Sequence, residues 1–433
     1  MTTKKKYFYG TGKRKASIAR VKVFSTAGNI IVNGKDIKEA LGMDDLVNIA
    51  LLPLRLTDND KLSAEIKTHG GGLSGQSGAI SLGRGKLNLK HDLTLNESQA
   101  VAARGQIELM TAWKNEFKKY TQSKSCVAVN SGTAALNLAL SLFDIKNKEV
   151  ILPSLSFVST AHSIVENGGI PVFVDIELDT LCIDPKKIKQ AVSKKTTAII
   201  PVHFGGMPCD MKEIMKISKE NNLRIVEDAA HAAGTVYNKK KIGSHGFAVC
   251  FSFHPVKNLA MPTGGLISLN GRQNHNSKKI LDARRWCGIT DRKDADYDVK
   301  ELGWNYYMNE FSAAIGIQQL KKIKKMTTKR KSIAKTFNKE FEIQEKMEYN
   351  DNCSYHFYWI LVQDRKKFRR QLSENGIETG THYKPVHEMS MYKKKITLPI
   401  TEKVGKKIVT LPIHPNLSFD DIDRIVRITN KFA

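Results

Sequence analysis

Three short stretches of this 433-residue chain carry side chains that could act together on one small molecule. The first runs from Ser252 to Asn258, and in it Lys257 follows a short apolar run that ends at Phe253. A lysine amine held at the mouth of a sheet can form a Schiff base with a carbonyl compound, and the Ser252 hydroxyl could hold a phosphate beside it. Taken alone, a lysine in a loop is most often only a solvent-facing charge.

The second stretch, Asn130-Ser131-Gly132-Thr133, follows a short apolar segment that predicts a strand. A glycine and a hydroxyl at a helix N-terminus suit a phosphate, because free amides and the positive end of the helix dipole face the anion. The alternative is a plain helix cap, since Ser or Thr at such a position needs no ligand. Gly132 and Thr133 are phosphate-binding candidates because of the motifs that follow them.

The third stretch, from Glu227 to His231, comes at the end of another predicted strand. An acid at a strand end can pair with a protonated pyridine nitrogen, because a nearby anion favours the protonated form. The small Ala229 and Ala230 suit the close approach of a flat ring. The alternatives for the acids are a helix cap or a structural salt bridge. Phe157 also follows a strand end, as either a core aromatic or a ring-stacking partner.

The elements that must position these stretches alternate between strand and helix patterns from about residue 126 onward. Apolar segments predict buried strands at Cys126–Val129, Val150–Leu152, Val172–Val174, Ala198–Val202, Arg224–Glu227, Val249–Ser252 and Leu266–Leu269. Helical patterns lie between them at Ala134–Phe143, Thr160–Asn167, Pro185–Val192 and Met211–Asn221. This alternation predicts an α/β fold with a mainly parallel, helix-covered sheet. Ligands of such sheets bind at the carboxyl ends of strands, where all three stretches fall.

Composition limits the classes of function. No apolar run approaches the roughly 20 residues that span a bilayer, and the stretch Met1–Tyr9 has no apolar core of a secretion signal. The six cysteines lie singly, which argues against a zinc site or a disulfide framework and fits a reducing cytoplasm. We therefore predict a cytoplasmic protein without a metal site. The formal net charge of +26 fits either a polyanionic partner such as nucleic acid or only a lysine-rich proteome.

Residues 1–90 predict a separate α+β module with basic and glycine-rich loops, joined to the rest by the Gly/Lys-rich segment Gly83–Lys90. Strand patterns cover Ser17–Val23, Ile30–Val32 and Leu62–Thr68, turns fall at Ala27–Asn29 and Asn33–Lys35, and a helix begins at Ile37. Glycines crowd the run from His69 to Gly78. Such backbone can approach a phosphate or an RNA backbone closely, or it can be a flexible loop.

The motifs YGTGKRKASIARVKVF, VNGK and GGGLSGQSGAI, within about residues 7–82, closely resemble the bacterial small-ribosomal-subunit protein of the S nine family. That family continues into a long Arg/Lys tail, which this chain lacks, so the module resembles a truncated ribosomal protein. The resemblance implies contacts with ribosomal RNA, mostly through phosphates. The residues it places there are Lys13, Arg14, Lys15, Arg20 and the loop from Gly70 to Gln76.

The order NSGTAAL, EDAAHA, SFHPVKN over about residues 95–430 strongly resembles the DegT/DnrJ/EryC1/StrS family of pyridoxal-phosphate-dependent sugar aminotransferases. Further matching motifs are PVHFG, GWNYYMNE, THYKPVH and LPIHP, which begin at Pro201, Gly303, Thr381 and Leu411. The resemblance implies the aspartate-aminotransferase-like fold of this enzyme class. Its large cofactor-binding domain would span residues 91–325, and a small C-terminal α+β domain would span residues 326–433.

The resemblance also implies roles for single residues around pyridoxal 5'-phosphate. Lys257 would bind the cofactor covalently and move the proton, and Asp228 would pair with the ring nitrogen. The remaining implied cofactor contacts are Ser252, Gly132 and Thr133 at the phosphate, Phe157 on the ring face and His231 near the hydroxyl. Asn305 would reach the phosphate of the neighbouring subunit's cofactor, which implies a homodimer with shared sites. His382 and Tyr383 would line the substrate side.

The reaction that the resemblance implies moves an amino group from an amino acid, by family habit glutamate, to a keto group of a nucleotide-linked deoxysugar. A dehydrating branch of the family has histidine where this chain has Lys257, so the lysine favours transamination. The chain departs from the family at Tyr307, often Arg, and at Pro262-Thr263, often Gly-Glu. The alternative, from another class, is a ribosomal or RNA-binding protein whose C-terminal part is catalytically idle.

Overall fold

The computed structural model describes residues 8–14, 17–24, 26, 28–41, 63–69, 109–271, 274–293 and 296–433. The chain separates into two compact units, residues 1–113 and residues 114–433. The first unit has a five-stranded sheet in the order β1-β2-β5-β3-β4, in which only β3 and β5 are parallel. Its elements are β1 Phe8–Arg14, β2 Ser17–Phe24, β3 Ile30–Val32, β4 Lys35–Asp36, α1 Ile37–Leu41 and β5 Ser63–His69.

Most of the predicted elements of this module are present. The turn at Asn33 and Gly34 has φ values of 50° and 85°, which these two residue types adopt readily. Strand Phe8–Arg14 was not predicted, because its Gly, Thr and Lys residues lack apolar alternation. Antiparallel pairing with β2 forms it instead.

Three of the RNA-contact candidates lie on the antiparallel strand pair β1–β2. Lys13 and Arg14 lie on β1, and Arg20 lies on β2. The backbone register sets Arg20 opposite Thr11. The candidates Lys15 and Gln76 lie outside the described residues, as does the predicted linker Gly83–Lys90.

The second unit is built on a seven-stranded sheet in the order β6-β14-β13-β10-β9-β7-β8. The strands are β6 Ser125–Val129, β7 Glu149–Pro153, β8 Ile170–Val174, β9 Thr196–Ile199, β10 Arg224–Asp228, β13 Ala248–Ser252 and β14 Gly265–Leu269. Neighbours are parallel except for β14, which runs antiparallel to both β13 and β6. The sheet is thus mainly parallel, and the carboxyl ends of β6, β10 and β13 share one edge with the start of β14.

All seven predicted strands are present, but the fourth was predicted too long. It ends at Ile199 rather than Val202, because Pro201 has no N–H with which to continue the ladder. A helix covers residues 109–121. The helices that follow between the first strands of the sheet are α2 Gly132–Ser141, α3 Ser159–Glu166, α4 Pro185–Ala191 and α5 Met211–Glu220. A two-stranded antiparallel ribbon follows, formed by β11 Val236–Tyr237 and β12 Lys240–Lys241. Helix α6 Asn274–Arg284 then leads to a second antiparallel ribbon, formed by β15 Ile289–Lys293 and β16 Asp296–Val299.

The C-terminal part contributes α7 Glu310–Glu340, β17 Tyr358–Leu361, α8 Arg365–Glu374, α9 Pro399–Lys407, β18 Ile408–Leu411 and α10 Phe419–Phe432. One apolar core joins sheet residues such as Ile151 and Ile225 to Phe337, Tyr358 and Ile425 of this part. Residues 114–433 therefore pack as one unit, and their division after residue 325 remains a prediction. Within the described ranges, no helix combines the length and the apolarity that crossing a bilayer would need.

Candidate active site

The three chemistry-bearing stretches meet at the carboxyl edge of the central sheet. Asn130–Gly132 follows β6, Asp228 ends β10 and Ser252 ends β13, with Lys257 in the loop beyond. The segments are closely apposed. A Cβ atom added at Gly265, the first residue of β14, would lie 2.2 Å from the Ser131 carbonyl oxygen, so only glycine fits there.

The start of α2 forms a small cradle beside Ser252. Ser131 caps the helix by accepting a hydrogen bond from the Ala134 N–H at 3.1 Å. A Cβ atom added at Gly132 would lie 2.7 Å from the Ser252 Cβ, so the helix N-terminus and this hydroxyl are in direct apposition. Free amides and a hydroxyl at a helix N-terminus fit a phosphate group. The structure thus brings Gly132 and Ser252 together, with the exposed Thr133 next in the chain.

Asp228 is buried, and both of its carboxylate oxygens accept hydrogen bonds. Thr160 donates its hydroxyl to Oδ2 at 2.8 Å, and the Ala230 N–H donates to Oδ1 at 3.1 Å. Burial raises the pKa of Asp228, while these two hydrogen bonds and the Lys257 charge oppose that rise. Sequence reasoning missed Thr160. Its place at the first turn of α3, after the strand β7, was the available sign.

Glu227, the neighbouring acid, faces the other side of the strand and is a structural residue. It is fully buried and lies 2.9 Å from the Nε2 atom of His203. Because the His203 Nδ1 accepts the Cys209 N–H, the neutral ring carries its proton on Nε2 and donates it to Glu227. The Gly246 N–H also donates to Glu227. Glu227 therefore has a structural role as an acceptor of buried hydrogen bonds, whereas Asp228 faces the site.

Lys257 lies in the loop after β13 with its amine largely withdrawn from solvent. Burial lowers the pKa of Lys257 to about 8, and the Asp228 carboxylate acts in the opposite direction. The next residue, Asn258, is buried and donates its Nδ2 to the Ser354 carbonyl oxygen at 2.9 Å. This bond ties the lysine loop to the chain segment before β17. Neither Asn258 nor Ser354 was singled out from the sequence.

His231 and Tyr383 form one wall of the site. The two side chains share a hydrogen bond of 3.1 Å between the histidine Nε2 and the tyrosine hydroxyl. His231 also stacks on His356, with ring centroids 4.5 Å apart. Burial and the positive charge of Lys257 lower the pKa of His231 well below its usual value. The histidine is therefore neutral at physiological pH.

Two further predicted residues complete this wall. His382 bonds through Nδ1 to the Thr410 hydroxyl at 2.8 Å and stacks on Phe357, and burial and Lys257 lower its pKa to about 4. Phe157 is 55% exposed and its ring centroid lies 5.9 Å from that of Tyr383, so it is not a core aromatic. Its ring is free to cover a ligand on this side.

The side chain of Asn305 is exposed, while its backbone is fixed near the cradle. The Asn305 carbonyl accepts the Asn130 side-chain amide at 3.3 Å, and the Asn130 N–H donates to the Tyr306 carbonyl at 2.9 Å. Thr263 holds the same loop by donating its hydroxyl to the Asn130 carbonyl at 2.5 Å. Thr263, where the family often has Glu, thus helps to hold the loop that leads into the cradle.

Tyr307, the other departure, is held by two partners of its own chain. Its hydroxyl donates to Glu310 at 2.7 Å, and the Arg285 guanidinium lies 5.8 Å from its ring centroid.

Among the residues that the structure describes, no group of three or more His, Cys, Asp or Glu side chains could hold a metal ion.

Comparisons with known proteins agree with this geometry. The model of the DegT/DnrJ/EryC1/StrS aminotransferase family matches residues 94–430, and that of ribosomal protein S9/S16 matches residues 12–127. The spore coat polysaccharide biosynthesis protein SpsC of Bacillus subtilis is 34% identical over 72% of this chain and 87% of its own length.

Solved structures give the same result. A sugar aminotransferase of Streptococcus pneumoniae, Spr1654, solved in apo, PMP and PLP forms, is similar to this chain. Its PLP form has a TM-score of 0.70 at 26% identity, covering 75% of this chain and 92% of its own. Helicobacter pylori PseC, an aminotransferase of pseudoaminic acid biosynthesis, has a TM-score of 0.71 at 25% identity, covering 84% and 97%.

The donor set at the sheet edge fits pyridoxal 5'-phosphate. A helix-end cradle suits the phosphate, a buried carboxylate suits the ring nitrogen, and a buried amine suits the aldehyde carbon. The fold is that of the aspartate-aminotransferase-like enzymes that use this cofactor. The chain belongs to the DegT/DnrJ/EryC1/StrS aminotransferase family and is a pyridoxal-phosphate-dependent sugar aminotransferase.

Proposed function

We propose that the enzyme transfers an amino group from glutamate to a keto group of a nucleotide-linked deoxysugar. The observation that carries the assignment of the site is the meeting of Lys257 and Asp228 with the Gly132–Ser252 cradle at one sheet edge. In this proposal Ser252, Gly132 and Thr133 hold the phosphate, and Asp228 holds the ring nitrogen. Phe157 and His231 flank the ring, and His382 and Tyr383 line the sugar side.

Bound pyridoxal phosphate supplies an electron sink for the carbon–hydrogen bond that must break. The lowered pKa of Lys257, about 8, leaves a useful neutral fraction of its amine near neutral pH. Its Nζ atom can therefore take a proton from the carbon beside the amino group and return it. Asp228, fixed by Thr160 and the Ala230 N–H, stays in place to keep the ring nitrogen protonated.

The substrate proposal is tested by amino transfer with the purified protein. We expect repeated turnover of glutamate to 2-oxoglutarate with a nucleotide-linked keto-deoxysugar, and at most one equivalent per active site when no keto sugar is present. The matched control is the same keto sugar without its nucleotide, for which we expect a kcat/KM lower by about 100-fold or more, because binding energy at the nucleotide is lost. Equal rates with both sugars would rule out the nucleotide requirement, and transfer only from another amino acid would rule out glutamate.

We also propose a cytoplasmic homodimer in which Asn305 of each subunit reaches the cofactor phosphate of the other. The Asn305 backbone forms an isolated bridge with that of Trp286, and exposed apolar side chains lie on or beside the β15–β16 ribbon at Trp286, Tyr297, Val299 and Leu302. Exposed apolar side chains on one short segment fit an interaction surface. Sedimentation equilibrium should give twice the chain mass of 48.5 kDa. A monomer at micromolar concentration would contradict the shared site.

A second candidate function concerns residues 1–90, for which we propose binding to ribosomal RNA. The supporting observation is the ribosomal protein S9/S16 match at residues 12–127. The candidates are Lys13, Arg14, Lys15, Arg20 and Gln76. We expect the full chain to cosediment with small ribosomal subunits at moderate salt, and a chain lacking residues 1–90 to stay in the supernatant. Absence of the full chain from the subunit fraction would refute this binding.

A further inference from the structure

Three residues that are distant in the sequence form one hydrogen-bonded series in the active-site wall. The Gly205 N–H donates to the Nδ1 atom of His231 at 3.3 Å. The Nε2 atom of the same ring lies 3.1 Å from the hydroxyl of Tyr383. The series ends at Tyr383, whose ring lies beside Phe157.

The donor at the first position decides the direction of the whole series. A backbone N–H can only donate, so the His231 Nδ1 is an acceptor and carries no proton. The neutral ring therefore holds its proton on Nε2 and donates it to the Tyr383 oxygen. Because that oxygen accepts from His231, the hydroxyl proton of Tyr383 is left to donate elsewhere.

We propose that Gly205 and His231 orient the Tyr383 hydroxyl as a hydrogen-bond donor to an oxygen acceptor in the active site. That acceptor is either the phenolic oxygen of the cofactor or the keto oxygen of the sugar. His231 acts through Tyr383 and is a positioning residue in this account. The inference rests on the proposed location of the site at Lys257 and Asp228.

The packing around Gly205 keeps the series in place. Gly205 has a φ of 61°, and a Cβ atom there would lie 2.8 Å from the Phe357 ring, so a side chain would displace the N–H that His231 needs. The next residue, Gly206, is held by Thr235, which donates to its carbonyl at 2.7 Å. The ring of His356 stacks on that of His231, with centroids 4.5 Å apart.

The charged and titratable groups that face the series favour the same protonation state. Burial lowers the pKa of His231, and the positive charge of Lys257 and the neighbouring His356 and His382 act in the same direction. Burial and the Asp228 carboxylate raise the pKa of Tyr383. His231 thus stays neutral and Tyr383 stays protonated over the physiological range, as a donor requires.

The test is a double-mutant cycle on the full-length, cofactor-loaded enzyme with Tyr383→Phe, His231→Leu and the two combined. We expect each single variant to lower kcat/KM for the sugar by about tenfold, as for one lost hydrogen bond. The double variant should be no worse than Tyr383→Phe, because His231 acts through that hydroxyl. His231→Gln, which keeps an amide donor, should recover part of the activity. Tyr237→Phe, which removes a hydroxyl that bonds to Asp210, is the matched control and should be unaffected.

Cofactor absorbance gives the second measurement. If the acceptor is the cofactor oxygen, Tyr383→Phe shifts the pH titration of the bound cofactor's absorbance. If it is the sugar oxygen, the titration is unchanged and only the steady-state constants for the sugar change. Wild-type kinetics in Tyr383→Phe, or effects of the two changes that multiply, would overturn the inference. Loss of covalent cofactor binding at Lys257 itself would instead be a failure of the proposed site.

Discussion

Replacing Lys257 by alanine is expected to abolish both amino transfer and the visible absorbance of covalently held cofactor. The amine is the partly buried nucleophile at the sheet edge, and its pKa, lowered to about 8, suits it to attack a carbonyl carbon and to move a proton. Loss of proton transfer alone costs roughly 10²–10⁴-fold in rate. Borohydride reduction of the wild-type holoenzyme followed by peptide mass mapping should locate the reduced cofactor adduct on Lys257.

The matched control is Lys216→Ala, which removes an exposed lysine on α5 away from the sheet edge. We expect it to keep wild-type activity, absorbance and adduct position. A reduced adduct mapped to another lysine in the wild type would contradict the assignment. So would full activity in Lys257→Ala.

Replacing Lys257 by methionine has a thermodynamic consequence in the protein without cofactor. The folded-state pKa of about 8 lies below the usual 10.5, so between these values the unfolded chain binds the extra proton. Stability contributed by this group therefore rises with pH through that window, and the cost of burying the charged amine is fully present below pH 8. Lys257→Met should raise the unfolding free energy at pH 7 by on the order of 2 kcal/mol. Denaturant titrations at pH 7 and pH 10 should show this gain shrinking at the higher pH.

The large-scale arrangement of the site follows from local sequence patterns. Alternating strand and helix segments predict a mainly parallel sheet, and such a sheet gathers the residues after its strands at one edge. Asp228 and Ser252 end buried strands and Gly132 comes three residues after another, so their common location could be predicted. The predicted strand Ala198–Val202 is shorter in the structure and ends at Ile199, because Pro201 has no N–H with which to continue the ladder.

The hydrogen bonds that orient the site could not be predicted in the same way. His231 and Tyr383 are 152 positions apart, and Asn258 and Ser354 are 96 apart. Such pairings depend on how the segments before β17 and β18 fold back over the sheet, which no local periodicity records. Thr160 shows the same limit at shorter range, because its hydroxyl could equally have capped its own helix instead of reaching Asp228.

Asp228→Asn is the second substitution with a large expected effect. Asparagine has nearly the same shape, and its one oxygen can still accept the Thr160 hydroxyl, but it loses the acceptor of the Ala230 N–H and carries no charge. An adjacent carboxylate raises the pKa of a cationic partner by about 1–3 units, so its loss should lower the protonated fraction of the ring nitrogen by up to 10- to 1000-fold. We expect kcat to fall by a comparable factor while the adduct on Lys257 still forms. Asp210→Asn, at a helix cap outside the site, is the control and should keep full activity.

Thr160→Val separates the charge of Asp228 from its orientation. The Thr160 hydrogen bond opposes the rise that burial causes in the pKa of Asp228, so its removal should raise that pKa further. The carboxylate is then lost at a higher pH as the solution is acidified, and the acid limb of the kcat profile should move upward in pH. Asp228→Asn has no such carboxylate and should lose that limb, with a low and flat rate instead. An unshifted limb in Thr160→Val, together with near-normal kcat in Asp228→Asn, would mean that another group holds the ring nitrogen.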